Sequence, residues 1–182
     1  MSWRRNPSLW RRCPNLLLWI MARIAIYPGS FDPVTRGHED IIRRSLAFAD
    51  KIIVAVAVNL SKQPLFSLEE RLELLREVLQ DYEGVEIRWF DGLLAKFAQK
   101  NDASLVIRGL RAVSDFEYEF QMALMNRQLN QQLETVFLVP ALRMTFLSSS
   151  LVREIARFGG DVTPFVHPAV AQALAGKFGT GA

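Results

Sequence analysis

From Ile24 to His38 the chain reads Ile-Ala-Ile-Tyr-Pro-Gly-Ser-Phe-Asp-Pro-Val-Thr-Arg-Gly-His, and this stretch constrains the fold more than any other. The apolar run Ile24 to Ile26 stops at Pro28-Gly29. A loop of small and turn-forming residues follows, and beyond His38 the residues Ile41, Ile42, Ser45, Leu46 and Ala49 recur at helical spacing. A strand, a glycine-containing loop and a helix in that order present backbone N–H groups and a helix N-terminus to an anion. His38 falls in the first turn of this helix. The positive end of the helix dipole disfavours an imidazolium there and suits a neutral ring that donates a hydrogen bond to an anion. A histidine in such a place is commonly a surface or capping residue. Gly29, Thr35 and Gly37 around it favour instead a backbone that something approaches closely.

A chain of 182 residues is long enough for one domain with a substantial core, and half of its residues are hydrophobic. The net charge of +3 and the pI near 9.3 do not describe the body of the protein. Arg4, Arg5, Arg11 and Arg12 lie in the first twenty residues, which contain no acid, and subtracting those four charges from +3 leaves −1 for the rest. Bulk charge therefore gives no support to nucleic-acid binding. The single cysteine, Cys13, allows neither an internal disulfide nor a cysteine metal cluster and suits a reducing cytoplasm.

Residues 1–20 hold Trp3, Trp10 and Trp19 beside Arg-Arg pairs and two prolines. Their basic start and apolar run, Leu16 to Ala22, imitate a signal peptide. The run is short for that role, has no small-residue cleavage site before the first strand, and is far too short to span a membrane. Met21 stands directly before Ala22-Arg23-Ile24, where a compact domain would begin. The expectation is an N-terminal extension over 1–20, reflecting an alternative start codon and disordered or not native, followed by one domain over 21–182.

Along that domain the strand-like runs are Ile24 to Ile26, Lys51 to Val58, Val85 to Phe90, Ser104 to Ile107 and Val136 to Val139. Lys51 to Val58 is a continuous, mostly β-branched run, as a parallel strand buried on both faces requires. Between the strands lie helical patterns: the one after His38, one opened by the capping box Ser67-Leu68-Glu69-Glu70, a short one over Leu93 to Lys100, and a long one over Asp115 to Gln132. The helix after Ser67 places Leu68, Leu72, Leu75, Val78 and Leu79 on one face. Two more helices, Ser149 to Phe158 and Pro168 to Phe178, close the chain. This alternation predicts an α/β fold: a single-domain, open, mostly parallel five-stranded sheet with helices on both faces. Ligands of such sheets bind at the carboxyl ends of the strands.

Four groups lie just past strand ends: the Gly29 to His38 loop, Ser61-Lys62, Arg108-Gly109-Leu110-Arg111, and the loop Met144 to Ser150. Lys62, Arg108 and Arg111 are cations suited to phosphate. An arginine that ends a buried strand needs a partner, and no carboxylate lies within four residues of Arg108. One serine suffices to cap a helix; Ser148, Ser149 and Ser150 together suit an anion held by hydroxyls and N–H groups. The dinucleotide fingerprint, the P-loop, the Gly-x-Ser-x-Gly elbow and any Cys/His metal cluster are absent from the sequence. His167 beside Pro168 reads as a residue that opens the last helix.

Thr35-Arg36-Gly37-His38 resembles the Thr/His-x-Gly-His motif of the nucleotidylyltransferase superfamily. Tyr27 to Pro33, Ser61-Lys62, Ile107 to Arg111, Asp115 to Glu119 and Phe146 to Ser150 resemble, in collinear order from residue 22 to about 178, the bacterial phosphopantetheine adenylyltransferases. The resemblance implies a Rossmann-like nucleotidylyltransferase fold and adenylyl transfer from ATP to 4′-phosphopantetheine, giving dephospho-CoA and pyrophosphate, with Mg²⁺ carried on the ATP phosphates and no metal site on the protein. It implies that Ser30 contacts both substrates and that Phe31 and His38 lie on ATP, with His38 catalytic. It places Lys62, Leu94 and Arg108 on phosphopantetheine. The nucleotide side would comprise Gly109, Leu110, Arg111, Glu119 and the loop Met144, Thr145, Phe146, Leu147, Ser148, Ser149, Ser150. It further implies a homohexamer inhibited by CoA; the cysteine count, the charge and the short apolar run add the expectation of a cytoplasmic protein with no nucleic-acid or membrane partner. Two other readings compete: a related nucleotidylyltransferase with another acceptor, such as nicotinamide mononucleotide or glycerol phosphate, and a non-catalytic nucleotide-binding module on the same fold.

Overall fold

The computed structural model describes residues 23–58, 63–111 and 113–179. The expected extension over 1–20, Cys13, and the Ser61-Lys62 pair lie outside the described residues. Five strands form one sheet: β1 (Ile24–Gly29), β2 (Lys51–Ala57), β3 (Val85–Phe90), β4 (Leu105–Gly109) and β5 (Glu134–Leu138). Their order across the sheet is β3-β2-β1-β4-β5, and every pairing is parallel. Among the described residues six α-helices connect or cover them: α1 (Arg36–Ser45), α2 (Leu68–Val78), α3 (Leu94–Lys100), α4 (Val113–Leu129), α5 (Ser149–Arg157) and α6 (Pro168–Phe178). The sheet is the open parallel one that the alternation predicts.

Strand periodicity divides the core in two. Ala25 and Tyr27 of β1 and Ile52, Val54 and Val56 of β2 face one layer, with Ile41, Leu75, Val152 and Leu174 from α1, α2, α5 and α6. Ile26, Ile53 and Ala55 face the other, with Ala95 and Ala98 from α3 and Leu133. Because neighbours along each strand are buried on opposite sides, β1 and β2 read as unbroken apolar runs.

Some boundaries differ from the sequence reading. β4 runs on to Gly109 because β5 pairs with it there, Arg108 opposite Phe137 and Gly109 opposite Leu138. Arg108 is thus a strand residue at the sheet's carboxyl edge. α4 opens at Val113 and stops at Leu129, short of Gln132, because Asn130 turns the chain: its side-chain oxygen accepts from Gln132 N–H at 3.2 Å. α2 has its capping box as expected, Ser67 and Glu70 bonding reciprocally. Its buried face, however, includes Arg71 and Leu74 beside Leu72, Leu75 and Val78, and Arg71 is only 5% exposed. A buried face of five residues thus carries a cation at one position. His167 caps α6, its Nδ1 accepting from Ala169 N–H.

The strand order reverses between β1 and β4. Such switch points leave a crevice at the carboxyl ends, because the connections on either side depart toward opposite faces. The loops after β1 and β4 therefore meet there.

Candidate active site

A cavity of about 640 Å³ occupies that crevice. Its wall is built from the β1–α1 loop (Pro28, Gly29, Ser30, Asp32, Thr35, Gly37, His38), the end of β4 (Arg108, Gly109, Arg111), and the start of α5 with the turn before it (Met144, Leu147, Ser148, Ser149, Ser150, Arg153). Glu119 of α4 and Arg71 of α2 also line it. Of the residues singled out in the sequence, Ser30, His38, Arg108, Gly109, Arg111, Glu119, Met144, Leu147 and all three serines are brought together.

Others sit elsewhere. Leu94 begins α3 and packs against the second core layer. Phe31 lies beneath the wall, 1% exposed, its ring edge-on to His38 at 5.1 Å and to Tyr27 at 5.6 Å. Leu110 donates its N–H to Leu138 O, Thr145 hydrogen-bonds Leu142 O, and Phe146 is exposed beside Phe165. Lys62 falls outside the described residues.

His38 is the third residue of α1, and its ring closes a capping box. Thr35 N–H donates to Nδ1 at 3.0 Å, with Thr35 Oγ1 at 3.1 Å from the same nitrogen. A backbone N–H can only donate, so Nδ1 is the bare acceptor and the neutral ring carries its proton on Nε2. Burial, with the positive charge of Arg111 added, pushes the imidazole pKa down to about 4. The ring is therefore an uncharged donor at neutral pH. Above pH 6.5 it is neutral whether the chain is folded or unfolded. As pH falls from there toward 4 the unfolded chain takes the proton first, so stability is lost over that range. An NMR titration of His38 is expected to give a midpoint near 4; a midpoint at or above 6 would mean that the ring is open to water.

Arg108 finds the partner that the sequence reading required. Its Nε donates to Glu119 Oε2 at 2.6 Å, Nη2 bonds the other oxygen, and Nη1 donates to Pro28 O at 2.9 Å. The fork is fixed against both α4 and β1. Arg111 Nη1 lies 3.4 Å from Leu147 O. The serines each have a protein partner: Ser148 Oγ caps Leu151 N–H, Ser149 Oγ donates to Pro33 O at 2.7 Å, and Ser150 Oγ accepts from Arg153. Their hydroxyls thus shape the helix start, and the capacity for an anion rests on the unbonded N–H groups of the first turn of α5.

Three wall residues were not singled out in the sequence. Asp32 accepts from Leu65 and Phe66 N–H, both at 2.9 Å, and from Arg153. Arg153 also bonds Asp32 O. Arg71 donates to Ser30 O and Ser67 O. The signal for Arg71 was its place among Leu68, Leu72 and Leu75; for Arg153 it was the one-turn spacing from Ser149, which puts both on one helix face. Among the described residues no group of three or more His, Cys, Asp or Glu is placed to hold a metal ion.

The family model described as cytidylyltransferase-like matches residues 26–155. A phosphopantetheine adenylyltransferase of Caldanaerobacter subterraneus is 58% identical over 156 residues, covering 86% of this chain and 98% of that protein. The chain belongs to the phosphopantetheine adenylyltransferase family. Its members in Alkalilimnicola ehrlichii and Thiobacillus denitrificans are 57% and 55% identical over 160 and 153 residues, covering 87% and 84% of this chain and 92% and 96% of theirs. Among solved structures, a nicotinic acid mononucleotide adenylyltransferase of Plasmodium falciparum complexed with NaAD superposes with a TM-score of 0.61 at 17% identity, over 87% of this chain and 96% of that one. A bifunctional NMN adenylyltransferase/ADP ribose pyrophosphatase of Francisella tularensis gives 0.64 at 15%, over 86% and 49%. These distant likenesses establish the fold alone, the Rossmann-like arrangement of the nucleotidylyltransferases, whereas the family assignment rests on the close relatives.

Proposed function

We propose that this chain transfers the adenylyl group of ATP to 4′-phosphopantetheine, releasing pyrophosphate and dephospho-CoA. One observation carries the reading: His38, Arg108, Arg111 and the Ser148–Ser150 helix start line a single cavity, in a chain 58% identical to an enzyme of that name. The attacking group is a phosphate monoester, already anionic at neutral pH, so no general base is needed. The obstacle is repulsion between two anions. The residues answer it by position and charge. Arg108, held by Glu119 and Pro28 O, and Lys62 neutralise the acceptor phosphate. His38 donates from Nε2 to the α-phosphate as it becomes five-coordinate. Arg111 and the N–H groups opening α5 hold the departing pyrophosphate.

Mg²⁺ comes with ATP in this reading and supplies charge neutralisation on the phosphates. The cleft's carboxylates, Asp32 and Glu119, are already taken by Arg153 and Arg108, which fits a metal carried by substrate oxygens rather than by a protein cage. CoA shares the pantetheine arm of the acceptor and would compete at the same cleft. We place the reaction in the cytoplasm and residues 21–182 in the catalytic domain, with 1–20 an extension outside it. Among the described residues no helix is long and apolar enough to cross a membrane.

Turnover of ATP with phosphopantetheine, followed by pyrophosphate release and compared with nicotinamide mononucleotide, tests the reading. Activity with phosphopantetheine alone supports it, and preference for the mononucleotide overturns it. ATP binding without turnover of either would favour a non-catalytic module.

The homohexamer is part of the same proposal. α4 leaves Phe116, Tyr118, Phe120, Leu124, Met125 and Leu129 exposed, with Val139 and Leu142. One helix bare of polar cover on several sides calls for a partner. Light scattering after gel filtration is expected to give six chains, and Met125→Glu with Leu129→Glu is expected to give smaller species. A monomeric parent protein would refute the assembly.

A further inference from the structure

Arg71 is 5% exposed and lies in the wall of the cleft, yet its bonding is unlike that of Arg108 and Arg153 there. Arg108 is paired with Glu119 and Arg153 with Asp32. Among the described residues Arg71 meets only neutral carbonyls: Nη1 donates to Ser30 O at 2.9 Å and Nε to Ser67 O at 3.2 Å. Burying a guanidinium to reach two carbonyls is costly. The carbonyl it reaches belongs to the peptide that joins Ser30 to Phe31, and Phe31 has φ of +47°. A bulky aromatic in the left-handed region is strained.

Turning that one peptide over by half a revolution, with the side chains left in place, would carry Phe31 to a φ of roughly −130°, an ordinary extended value. The hydrogen bond from Arg71 to Ser30 O opposes the turn. A trans peptide points its C=O and its N–H in opposite directions. Drawing Ser30 O toward α2 therefore aims Phe31 N–H away from α2. Among the described residues that N–H has no protein acceptor, in a residue otherwise fully buried. Buried N–H groups are rarely left without a partner.

We infer that Arg71 is a positioning residue that locks the Ser30–Phe31 peptide in its strained orientation, so that Phe31 N–H stands ready to donate to a phosphate in the cleft. Leu65 and Phe66 N–H anchor the next residue, Asp32, but among the described residues only Arg71 bonds the peptide itself. The catalytic part of this inference rests on the adenylyl-transfer reading; the lock does not.

The test is Arg71→Met, with Arg71→Lys as the conservative variant. In a crystal structure of Arg71→Met, Phe31 is expected to move to negative φ. With ATP and phosphopantetheine, kcat of the same variant is expected to fall roughly a hundredfold, the scale of losing one preorganised donor, while KM for ATP changes by less than about fivefold. A role limited to stability would lower the melting temperature without this split. Arg71→Lys keeps one donor for Ser30 O, so it is expected to hold positive φ and to recover to within about tenfold of the parent kcat. Persistence of positive φ in Arg71→Met overturns the lock. A kcat within threefold of the parent, despite a turned peptide, overturns its catalytic use. Should Arg71→Met fail to fold, Arg71→Lys decides: positive φ with kcat within tenfold supports the proposal, and negative φ or a hundredfold loss at positive φ overturns it. The crystallographic arm needs no substrate, and turnover by the parent protein tests the adenylyl-transfer reading separately.

Discussion

Replacing His38 with alanine is expected to lower kcat by roughly 10²- to 10³-fold, the usual scale for removing one donor aimed at developing charge, while ATP affinity changes by less than about tenfold. The effect rests on a single hydrogen bond. Thr35 N–H donates to Nδ1 at 3.0 Å, which leaves the ring proton on Nε2. Burial and Arg111 then push the pKa down to about 4, so the ring donates without carrying a charge. A neutral donor adds little to the binding of ATP, whose charge is met by cations and helix N–H groups. It adds more when the α-phosphate gathers an extra oxygen and its equatorial charge grows, because differential binding of the transition state is what accelerates a reaction. Single-turnover rates together with calorimetric ATP titrations read the two quantities apart. Equal losses in both would make His38 a binding residue only. Because the ring is neutral well below neutrality, activity lost between pH 7 and 6 would not be assigned to His38.

Much of this is legible in the sequence because it is local. The β1–α1 unit, both serine-led helix starts and the alternating burial of β1 and β2 follow from spacing and turn chemistry within a dozen residues. Even the orientation of His38 follows from its position in the first helical turn. What was not legible depends on which loops the strand order brings together. Glu119 meets Arg108 because α4 folds back over the end of β4, and nothing in the ten residues between them announces that contact. Arg71 stands among the leucines of α2 and is not singled out by the sequence; its reach of 2.9 Å to Ser30 O, forty-one residues away, gives it a task. Asp32 and Arg153 stand more than a hundred residues apart and join through the packing of α5 on the β1–α1 loop. The serine triplet is the instructive intermediate. Its place at the cleft was readable, but the bonds from Ser149 to Pro33 O and from Arg153 to Ser150 make its hydroxyls part of the scaffold.

The second large effect is expected at Arg108, and it has two separable sources. Arg108→Met removes the cation proposed to meet the acceptor phosphate. It also strands Glu119, whose side chain is only 14% exposed and whose two oxygens both bond the guanidinium. A partly buried carboxylate that loses its partner keeps its desolvation cost, so stability falls by about 1–3 kcal/mol. It also faces the incoming phosphate with a like charge. At about 5 Å and an effective dielectric near 20 that repulsion is worth roughly 3 kcal/mol, on the order of a hundredfold in acceptor binding. The single variant should therefore lose more than about a hundredfold in kcat/KM for phosphopantetheine, beyond what a missing donor alone costs. Adding Glu119→Gln removes the stranded charge without restoring the cation. The double variant is expected to regain about tenfold or more in kcat/KM and most of the lost melting temperature, a non-additivity that only interacting neighbours produce. Steady-state kinetics in the acceptor and thermal melts of the four proteins complete the cycle. If the double variant is no better than Arg108→Met, the Glu119 charge is not felt at the acceptor phosphate, and Arg108 does not hold that phosphate from where it stands.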